Sequence, residues 1–139
     1  MINSRNIEYL HPKIQVLASK LIEVAQQNNI KLIITSTYRD FDSQDDLYAQ
    51  GRTKPGKIVT NARAGESFHN FKVAFDVAPV VEGKIVWNDG ALWDKIGALG
   101  ESLGLEWGGS WESFKDKPHF QFTGGLTLED FRLGKKLDA

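Results

Sequence analysis

A carboxylate stands in the middle of an apolar, strand-like segment of this chain of 139 residues. Asp76 lies between Phe75 and Val77, and period-two alternation places it on the opposite face from these side chains. A buried carboxylate costs several kcal/mol unless it is paired or bound to a cation. His69 lies seven residues earlier, in a loop-like stretch, so an imidazole and a carboxylate can converge on one point. The segment therefore predicts the beginning of a metal site.

A second histidine offers a further ligand. His119 lies in another segment with strand-like alternation, and Asp116 lies three residues before it. Two histidines and one aspartate, with an open position for water and a spare acid nearby, are typical of a catalytic zinc site. In such a site Asp116 would act as general base and then pass the proton to the leaving amine. Spacing alone leaves the alternative that His69 and His119 are ordinary hydrogen-bonded histidines.

Composition limits the possible partners and metal ligands. The chain has no cysteine, so disulfides are excluded and zinc must be held by His, Asp or Glu. With 17 basic and 18 acidic residues the net charge is -1, which provides no general attraction to nucleic acid or anionic lipid. No apolar run approaches the ~20 residues that span a bilayer, and we identify no signal peptide. We expect a monomeric protein with one domain, residues 1–139, that neither binds nucleic acid nor inserts into a membrane.

The apolar pattern predicts helices early and late in the chain, with strands between them. The expected helices run from Pro12 to Asn28, from Asp42 or Ser43 to Gln50, from Asn88 or Asp89 to Gly104, and for a short stretch after Thr127. The expected strands lie at residues 30–36, 72–78, 85–87 and 119–122, with a hairpin turn at residues 82–84. Residues 52–66 lack periodicity and are predicted to form a long ordered loop. This order favours an α+β fold with a small, mainly antiparallel sheet flanked by helices.

Further side chains could contact a substrate. Arg39 follows the first strand, where a solvated arginine is common, but its guanidinium could also stabilise an oxyanion or bind a carboxylate. Trp107 and Trp111 lie on either side of two glycines, just before Asp116, and could stack on a sugar or a peptide. The alternative for both tryptophans is the core. His11 precedes a proline at a helix start, and we expect a structural role for it.

The motifs around these residues resemble a known family. The first motif is Ser67-x-His69, followed after six residues by Asp76, and the second is Asp116-x-Pro-His119 further downstream. The pattern resembles the D-Ala-D-Ala carboxypeptidase and L-alanyl-D-glutamate endopeptidase family of zinc peptidases, within the LAS group that also contains lysostaphin-type enzymes and the hedgehog signalling domain. Further similarity to its bacterial and phage endopeptidase branch includes Leu10-His11-Pro12, Thr37-Tyr38-Arg39, Gln44, Leu47-Tyr48, Gly51-Arg52-Thr53, Val59-Thr60-Asn61-Ala62, Glu106-Trp107-Gly108-Gly109, Trp111 and Phe114-Lys115-Asp116.

The resemblance implies an LAS/hedgehog-like zinc peptidase fold and a Zn²⁺ ion held by His69, Asp76 and His119. It also implies Asp116 as the catalytic acid and base, Arg39 as the electrophilic stabiliser, and Ser67 and Gln44 near the substrate.

One position departs from the family pattern. The family usually has a glycine where this chain has Lys72, so that His-Asn-Phe-Lys replaces His-Asn-Tyr-Gly. A lysine at this position would alter the backbone geometry or the charge preference for substrate. Because all three ligands and the base remain, we expect activity to be retained.

The resemblance further implies that the substrate is the stem peptide of peptidoglycan, cut between L-Ala and D-Glu. The branch includes phage endolysins, and we expect a compact lysis enzyme with no separate wall-binding domain. It would be made in the bacterial host cytoplasm and reach the cell wall through a holin or another release route. A host cell-wall enzyme is the alternative origin.

Two other functions stay open at this point. The first keeps the zinc chemistry but removes a terminal D-Ala, as a D,D-carboxypeptidase of cell-wall metabolism does. The second is a zinc-stabilised binding module of the hedgehog kind without turnover. The presence of both Asp116 and Arg39 favours catalysis.

Overall fold

In the computed structural model, which describes residues 1–138, five strands form one antiparallel sheet. The strands are β1 (Lys31–Ser36), β2 (Ala74–Val81), β3 (Lys84–Ile85), β4 (Glu106–Trp107) and β5 (His119–Gln121). Their order is β1-β2-β5-β4, and β3 forms a hairpin with the end of β2. The predicted α+β class with a small antiparallel sheet is therefore confirmed.

Four α-helices accompany the sheet. They are α1 (Pro12–Gln27), α2 (Phe41–Ala49), α3 (Gly90–Ser102) and α4 (Leu128–Arg132). Short 3-10 turns lie at Ile7–Tyr9, Phe68–Phe71 and Gly108–Ser110. Each predicted helix is present, and none of the helices within residues 1–138 has the length and apolar character needed to cross a membrane.

The core lies between the sheet and the helices α1 and α3. The buried stripe of α1 recurs at helical spacing and consists of Ile14, Ala18, Leu21 and Ala25. This helix contacts β1 and α3, and α3 contacts β4. From the sheet, Phe75 and Phe120 are fully buried and stack with their ring centroids 5.9 Å apart. One face of the sheet is therefore apolar and closed to solvent.

The register decides which side chains share the opposite face. Asp76 of β2 pairs with His119 of β5 on one side and with Ser36 of β1 on the other. Gln121 of β5 pairs with Glu106 of β4. Directly paired residues of a sheet point to the same face, and every second residue along a strand returns to it. These five side chains therefore form one polar row across the sheet.

The start of α2 differs from the prediction. Asp40, rather than Asp42 or Ser43, is the N-cap, since its carboxylate accepts a hydrogen bond from the Ser43 backbone N–H at 2.8 Å. The same carboxylate accepts from the backbone N–H of Ile2 at 2.6 Å. These bonds, with that from Ser43 first, hold the pKa of Asp40 below its usual range. The cap of α2 thus also fixes the N-terminal segment.

The bounds of two strands differ from the prediction. β2 begins at Ala74 and not at residue 72, because Lys72 has a left-handed backbone (φ 65°, ψ 23°) at the end of the preceding 3-10 turn. β3 has two residues and not three. Residues 52–66 contain neither helix nor strand, as the lack of periodicity predicted.

The N-terminal segment supports the strand end that carries Arg39. The backbone N–H of Ser4 donates to the carbonyl of Tyr38, and the carbonyl of Ser4 accepts from the N–H of Thr37, both at 2.8 Å. Because Tyr38 immediately precedes Arg39, this pairing positions the arginine backbone.

Close packing at Gly100 of α3 provides a test of the core. A Cβ atom built on Gly100 would overlap the ring of Phe120, so we expect Gly100→Ala to lower the free energy of unfolding by about 1–3 kcal/mol. Gly90, in the first turn of the same helix, is the matched control, since its Cβ would meet only the Lys117 Nζ at 4.0 Å. Gly90→Ala should be neutral or stabilising. Urea unfolding measures both, and equal stability of the two variants would contradict the packing argument.

Candidate metal centre and cleft

Three predicted ligands converge at the polar face of the sheet. The His69 Nε2 lies 3.2 Å from the Asp76 Oδ1, and the His119 Nδ1 lies 3.3 Å from the same oxygen. One potential ligand atom from each residue lies within 4.8 Å of the other two. His69 comes from the 3-10 turn before β2, whereas Asp76 and His119 are paired residues of adjacent strands. The structure therefore brings together the three residues that the sequence singled out as ligands.

The orientation of His69 is set by a backbone carbonyl. Its Nδ1 lies 2.8 Å from the carbonyl oxygen of Thr37, which can only accept a hydrogen bond. Nδ1 must therefore carry the hydrogen, and in the neutral ring Nε2 presents a lone pair to Asp76. This is the tautomer in which Nε2 can bind a metal.

The orientation of His119 is set by a side-chain amide. Its Nε2 lies 2.7 Å from the Gln121 Oε1, and the Gln121 Nε2 donates to the Glu106 Oε2 at 2.8 Å. With the amide oxygen facing the ring, His119 donates from Nε2 and its Nδ1 points to Asp76. Both histidines thus direct the unprotonated nitrogen of the neutral ring toward one carboxylate oxygen.

This arrangement requires a positive charge. Burial acts to raise the pKa of Asp76, but the two imidazoles hold it well below its usual range. Burial acts to lower the pKa of His119, but the hydrogen bond and charge of Asp76 raise it above its usual value. In the metal-free protein a proton supplies the charge, and a metal cation can replace it.

The donor set fits a tetrahedral zinc ion. With Zn–N and Zn–O bonds of about 2.0–2.1 Å, two ligand atoms of a tetrahedron lie about 3.3 Å apart. The separations from the Asp76 Oδ1, 3.2 Å to His69 and 3.3 Å to His119, match this value. The remaining pair of ligand atoms, from His69 and His119, would complete the three protein ligands. The fourth position would be free, as in a catalytic zinc site.

Asp116 lies beside the three donors. Its Oδ2 is 3.9 Å from the His119 Nδ1, and its side chain is 49% exposed. Its backbone N–H donates to the carbonyl of Gly108 at 3.0 Å, and a Cβ at Gly108 would collide with the Asp116 carbonyl, so the contact requires glycine. Burial, and then the charge of Asp76, raise the pKa of Asp116. The carboxylate is therefore a stronger base than an ordinary aspartate.

Arg39 lines the same cleft. Its Nη1 donates to the Gln44 Oε1 at 2.8 Å and its Nη2 to the Ser36 Oγ at 3.4 Å, while the buried Nε has no hydrogen-bond partner within residues 1–138. Burial lowers the pKa of Arg39, and the carboxylates of Asp76 and Asp116 act in the opposite direction. Because an arginine stays charged in proteins, the cleft has one fixed cation facing two acids.

Ser67 and Gln44, both expected near the substrate, have different positions. Ser67 lines the cleft, and its Oγ accepts a hydrogen bond from the backbone N–H of His69 at 3.2 Å. Gln44 is fully buried, and its Nε2 donates to the carbonyl of Ala62 at 2.8 Å. Through its Oε1 it holds Arg39, so its contacts are with the protein itself.

The two candidate tryptophans are separated by the fold. Trp111 lines the cleft, with its ring centroid 5.2 Å from that of His119. Trp107 is buried against Gly97 of α3, and its indole N–H donates to the carbonyl of Lys117 at 2.7 Å. The structure therefore brings Trp111 to the metal site and directs Trp107 to the core.

A cleft of about 630 Å³ contains these groups. Its floor carries the three donors, Asp116 and Arg39. Its walls come from the predicted long loop, from the segment after the 3-10 turn Gly108–Ser110 and from α4. They include Val59, Thr60, Ala62, Glu66, Trp111 and Leu128. The loop therefore forms one side of the space in which a substrate would lie.

Sequence reasoning missed several groups that orient the site. The carbonyl of Thr37 orients the ring of His69, and the Asn70 side chain donates to the carbonyl of Arg39 at 2.9 Å. Each contact joins residues that are at least 31 positions apart in the sequence. No local pattern indicates such contacts. For Gln121 a signal was available, because strand alternation places it on the face of His119.

The backbone conformation of Lys72 explains why the family usually has a glycine at this position. With φ at 65° it lies in the left-handed region, where glycine is favoured. Its Nζ lies 4.9 Å from the ring centroid of Tyr38, and Lys72 is not among the residues that line the cleft. The lysine therefore accommodates the backbone that a glycine would adopt and stays out of the site.

Comparisons with known proteins agree with this geometry. The family described as D-alanyl-D-alanine carboxypeptidase matches residues 60–122. The peptidoglycan L-alanyl-D-glutamate endopeptidase CwlK of Bacillus subtilis (strain 168) is 42% identical over an alignment of 121 residues that covers 81% of this chain and 72% of CwlK. The L-alanyl-D-glutamate peptidase of Listeria phage A118 is 31% identical over an alignment of 122 residues that covers 84% of this chain but only 39% of the phage protein.

A solved structure shows the same fold. The crystal structure of the Serratia marcescens L-Ala D-Glu endopeptidase ChiX matches with a TM-score of 0.60 and 23% identity, covering 94% of this chain and 92% of ChiX. A His-Asp-His group at the polar face of a sheet, beside a second carboxylate and an arginine, is the arrangement of a metallopeptidase. The chain belongs to the D-alanyl-D-alanine carboxypeptidase and L-alanyl-D-glutamate endopeptidase family, and it is a peptidase.

Removing the metal should destabilise the protein. An ion that binds only the native state raises the free energy of unfolding by about 2.7 kcal/mol at a hundredfold excess over Kd. We expect calorimetry to show a Tm several degrees higher with Zn²⁺ than with a chelator. His69→Ala should abolish this difference.

His11→Ala is the control, since His11 caps α1 and accepts from the Lys13 N–H at 3.1 Å. It should retain the zinc response. Because the metal must displace a proton from His119, whose pKa is raised, the response should weaken as the pH falls, beginning above the ordinary histidine pKa of about 6.5. A zinc response that is unchanged in His69→Ala would contradict the assigned ligands.

Proposed function

We propose that this chain is a zinc-dependent L-alanyl-D-glutamate peptidase that cleaves the stem peptide of peptidoglycan. The observation that carries the proposal is the convergence of His69, Asp76 and His119 beside Asp116 at the floor of one cleft. The identity of 42% to a peptidoglycan L-alanyl-D-glutamate endopeptidase supports the choice of bond.

Zinc is the metal that this donor set favours. Two imidazole nitrogens and one carboxylate oxygen, without thiolates, are ligands of catalytic zinc sites. A bound zinc ion would supply Lewis-acid polarisation of a peptide carbonyl and of an attacking water. Thr37 and Gln121 hold the two rings in the tautomers that such binding needs.

Asp116 moves the proton in this proposal. Its Oδ2 lies 3.9 Å from the His119 Nδ1, so the carboxylate is close enough to the metal position to accept a proton of the attacking water. Once protonated, the same group can donate to the amine that leaves when the peptide bond breaks. The half-exposed side chain reaches the cleft while its backbone is held by Gly108, so the carboxylate is positioned but accessible.

Arg39 stabilises negative charge that develops on the peptide oxygen. The side chains of Gln44 and Ser36 fix the guanidinium before a substrate arrives, so little reorganisation is needed. Ser67 and Trp111 line the cleft around it and are the proposed substrate contacts. Gln44 contributes by holding Arg39, and Trp107 contributes by packing beneath the cleft.

Asp116→Ala tests the enzymatic function. With purified peptidoglycan and zinc-loaded protein, we expect mass spectrometry to detect fragments with a new N-terminal D-Glu. The rate of their release should fall about 10²- to 10⁴-fold in Asp116→Ala, because the proton acceptor is lost, while zinc content is unchanged. Asp94→Ala, at an exposed position of α3, is the control and should retain the wild-type rate.

The products distinguish the alternatives. Release of free D-Ala without new N-terminal D-Glu would replace the endopeptidase by a D,D-carboxypeptidase. Tightly bound zinc with no product from either bond would indicate a binding module. An unchanged rate in Asp116→Ala would remove that residue from the mechanism.

We further propose a role as a phage lysis enzyme that acts on the cell wall after a holin or another route releases it from the host cytoplasm. The phage relative, 31% identical over 84% of this chain, supports this role. We also propose that residues 1–139 act as one catalytic domain and as a monomer.

Co-expression tests the lysis role. In a bacterium whose peptidoglycan the purified protein cleaves, culture turbidity should drop when the chain and a holin are induced together. Induction of the chain alone, or of a holin with Asp116→Ala, should leave turbidity unchanged. Lysis by the chain alone would contradict the need for a separate release step.

A further inference from the structure

The two histidines of the metal centre are oriented by groups of different kinds. His69 donates to the backbone carbonyl of Thr37, which offers only an acceptor. His119 faces the side-chain amide of Gln121, which has an acceptor at one end and a donor at the other. The tautomer of His69 is therefore determined by the backbone, whereas that of His119 depends on which end of an amide faces it.

Glu106 decides which end of the amide faces the histidine. The Glu106 carboxylate only accepts, so the Gln121 Nε2 must point to it, at 2.8 Å from Oε2. The Gln121 Oε1 then points to the His119 Nε2 at 2.7 Å. The metal-facing state of the ring, with Nδ1 free to bind, follows from the identity of the side chain at position 106.

The sheet holds this chain of contacts in place. Glu106 and Gln121 are directly paired residues of β4 and β5, so their side chains lie on the same face. Gln121 is buried, with an exposed fraction of 4%, so its amide relies on these two protein partners for its hydrogen bonds. Glu106 is exposed and is not among the residues that line the cleft. Its contact with the metal centre therefore runs through Gln121.

We infer that Gln121 and Glu106 are positioning residues that set the zinc affinity of His119. The inference rests on the metal site of the proposed function. The charge-assisted hydrogen bond that Gln121 donates to Glu106 polarises the amide, and the amide in turn strengthens His119 as a ligand. An exposed glutamate outside the cleft thereby controls a buried metal ligand.

The loss of the carboxylate opens a competing arrangement. In Glu106→Gln the partner can donate as well as accept, so the Gln121 amide can turn and donate to the His119 Nε2. Neutral His119 then carries its hydrogen on Nδ1, where it faces Asp76 and occupies the metal position. The variant should keep its fold but bind zinc more weakly, since the metal must reverse this arrangement before it binds.

Competition with a chromogenic chelator at fixed pH tests the inference, with Zn²⁺ itself as the probe. Gln121→Met, which removes the hydrogen bond and retains the volume, should raise the zinc Kd about 10- to 100-fold, and Glu106→Gln should raise it about tenfold. The double variant with Gln121→Met and Glu106→Gln should have the same zinc Kd as Gln121→Met, because Glu106 acts through the Gln121 amide that is already lost. Thermal melts of the metal-free proteins establish that each variant is folded.

Glu112→Gln is the matched control. Glu112 is exposed and lies in the loop before Asp116, so the variant removes the same charge without contacting Gln121. It should leave the zinc Kd unchanged. An equal weakening by Glu112→Gln and Glu106→Gln would overturn the inference in favour of a general field effect.

The remaining outcomes separate the inference from the proposed function. Wild-type affinity in folded Glu106→Gln, or an additive loss in the double variant, would overturn the inference while the metal site stands. Failure of the wild-type protein to bind zinc would remove the metal site of the proposed function, and the inference with it. If Gln121→Met greatly weakens zinc binding while Glu106→Gln leaves the zinc Kd unchanged, Gln121 alone is a positioning residue and the role of Glu106 is overturned.

Discussion

The contact between one carboxylate oxygen and two imidazole nitrogens governs the rest of this structure. Asp76 Oδ1 lies 3.2 Å and 3.3 Å from nitrogens that carry lone pairs when the rings are neutral. Three electron-rich atoms cannot stay this close in a buried site without a proton or a metal ion among them. The site and the stability of the fold are therefore coupled through whichever cation occupies it.

The sheet satisfies this requirement by having two chemically different faces. One face stacks Phe75 on Phe120 and is sealed by α1 and α3, while the other carries the polar row. Strands supply two ligands at a fixed separation, and a short turn supplies the third. The groups proposed for proton transfer and substrate contact, Asp116 and Ser67, come from adjoining loops. The strands and the turn hold the metal ligands rigidly, while the loops leave the proton-transfer and substrate-contact groups accessible.

The parts that could be predicted are those that depend on local physics. The helices α1, α3 and α4 followed from apolar spacing and capping residues, since both act within a few positions of chain. The start of α2 was missed because Ile2 and the N-terminal segment help to select Asp40 as the cap. The expected strand begins two residues later than predicted, at Ala74, because the left-handed backbone of Lys72 cannot belong to it. The two tryptophans looked equivalent in sequence, yet pairing of Trp107 with Phe120 turns it to the core.

The sequence by itself determined the ligand types, the spare acid, the α+β class and the alternation that puts His119 and Gln121 on one face. A strand's period of two and the chemistry of imidazole and carboxylate are properties of the residues alone. Only the tertiary structure decided the tautomers, the orientation of Arg39 and the raised pKa of Asp116. Each of these depends on burial and on contacts between segments distant in sequence, such as Thr37 with His69, and such contacts exist only after the chain has folded.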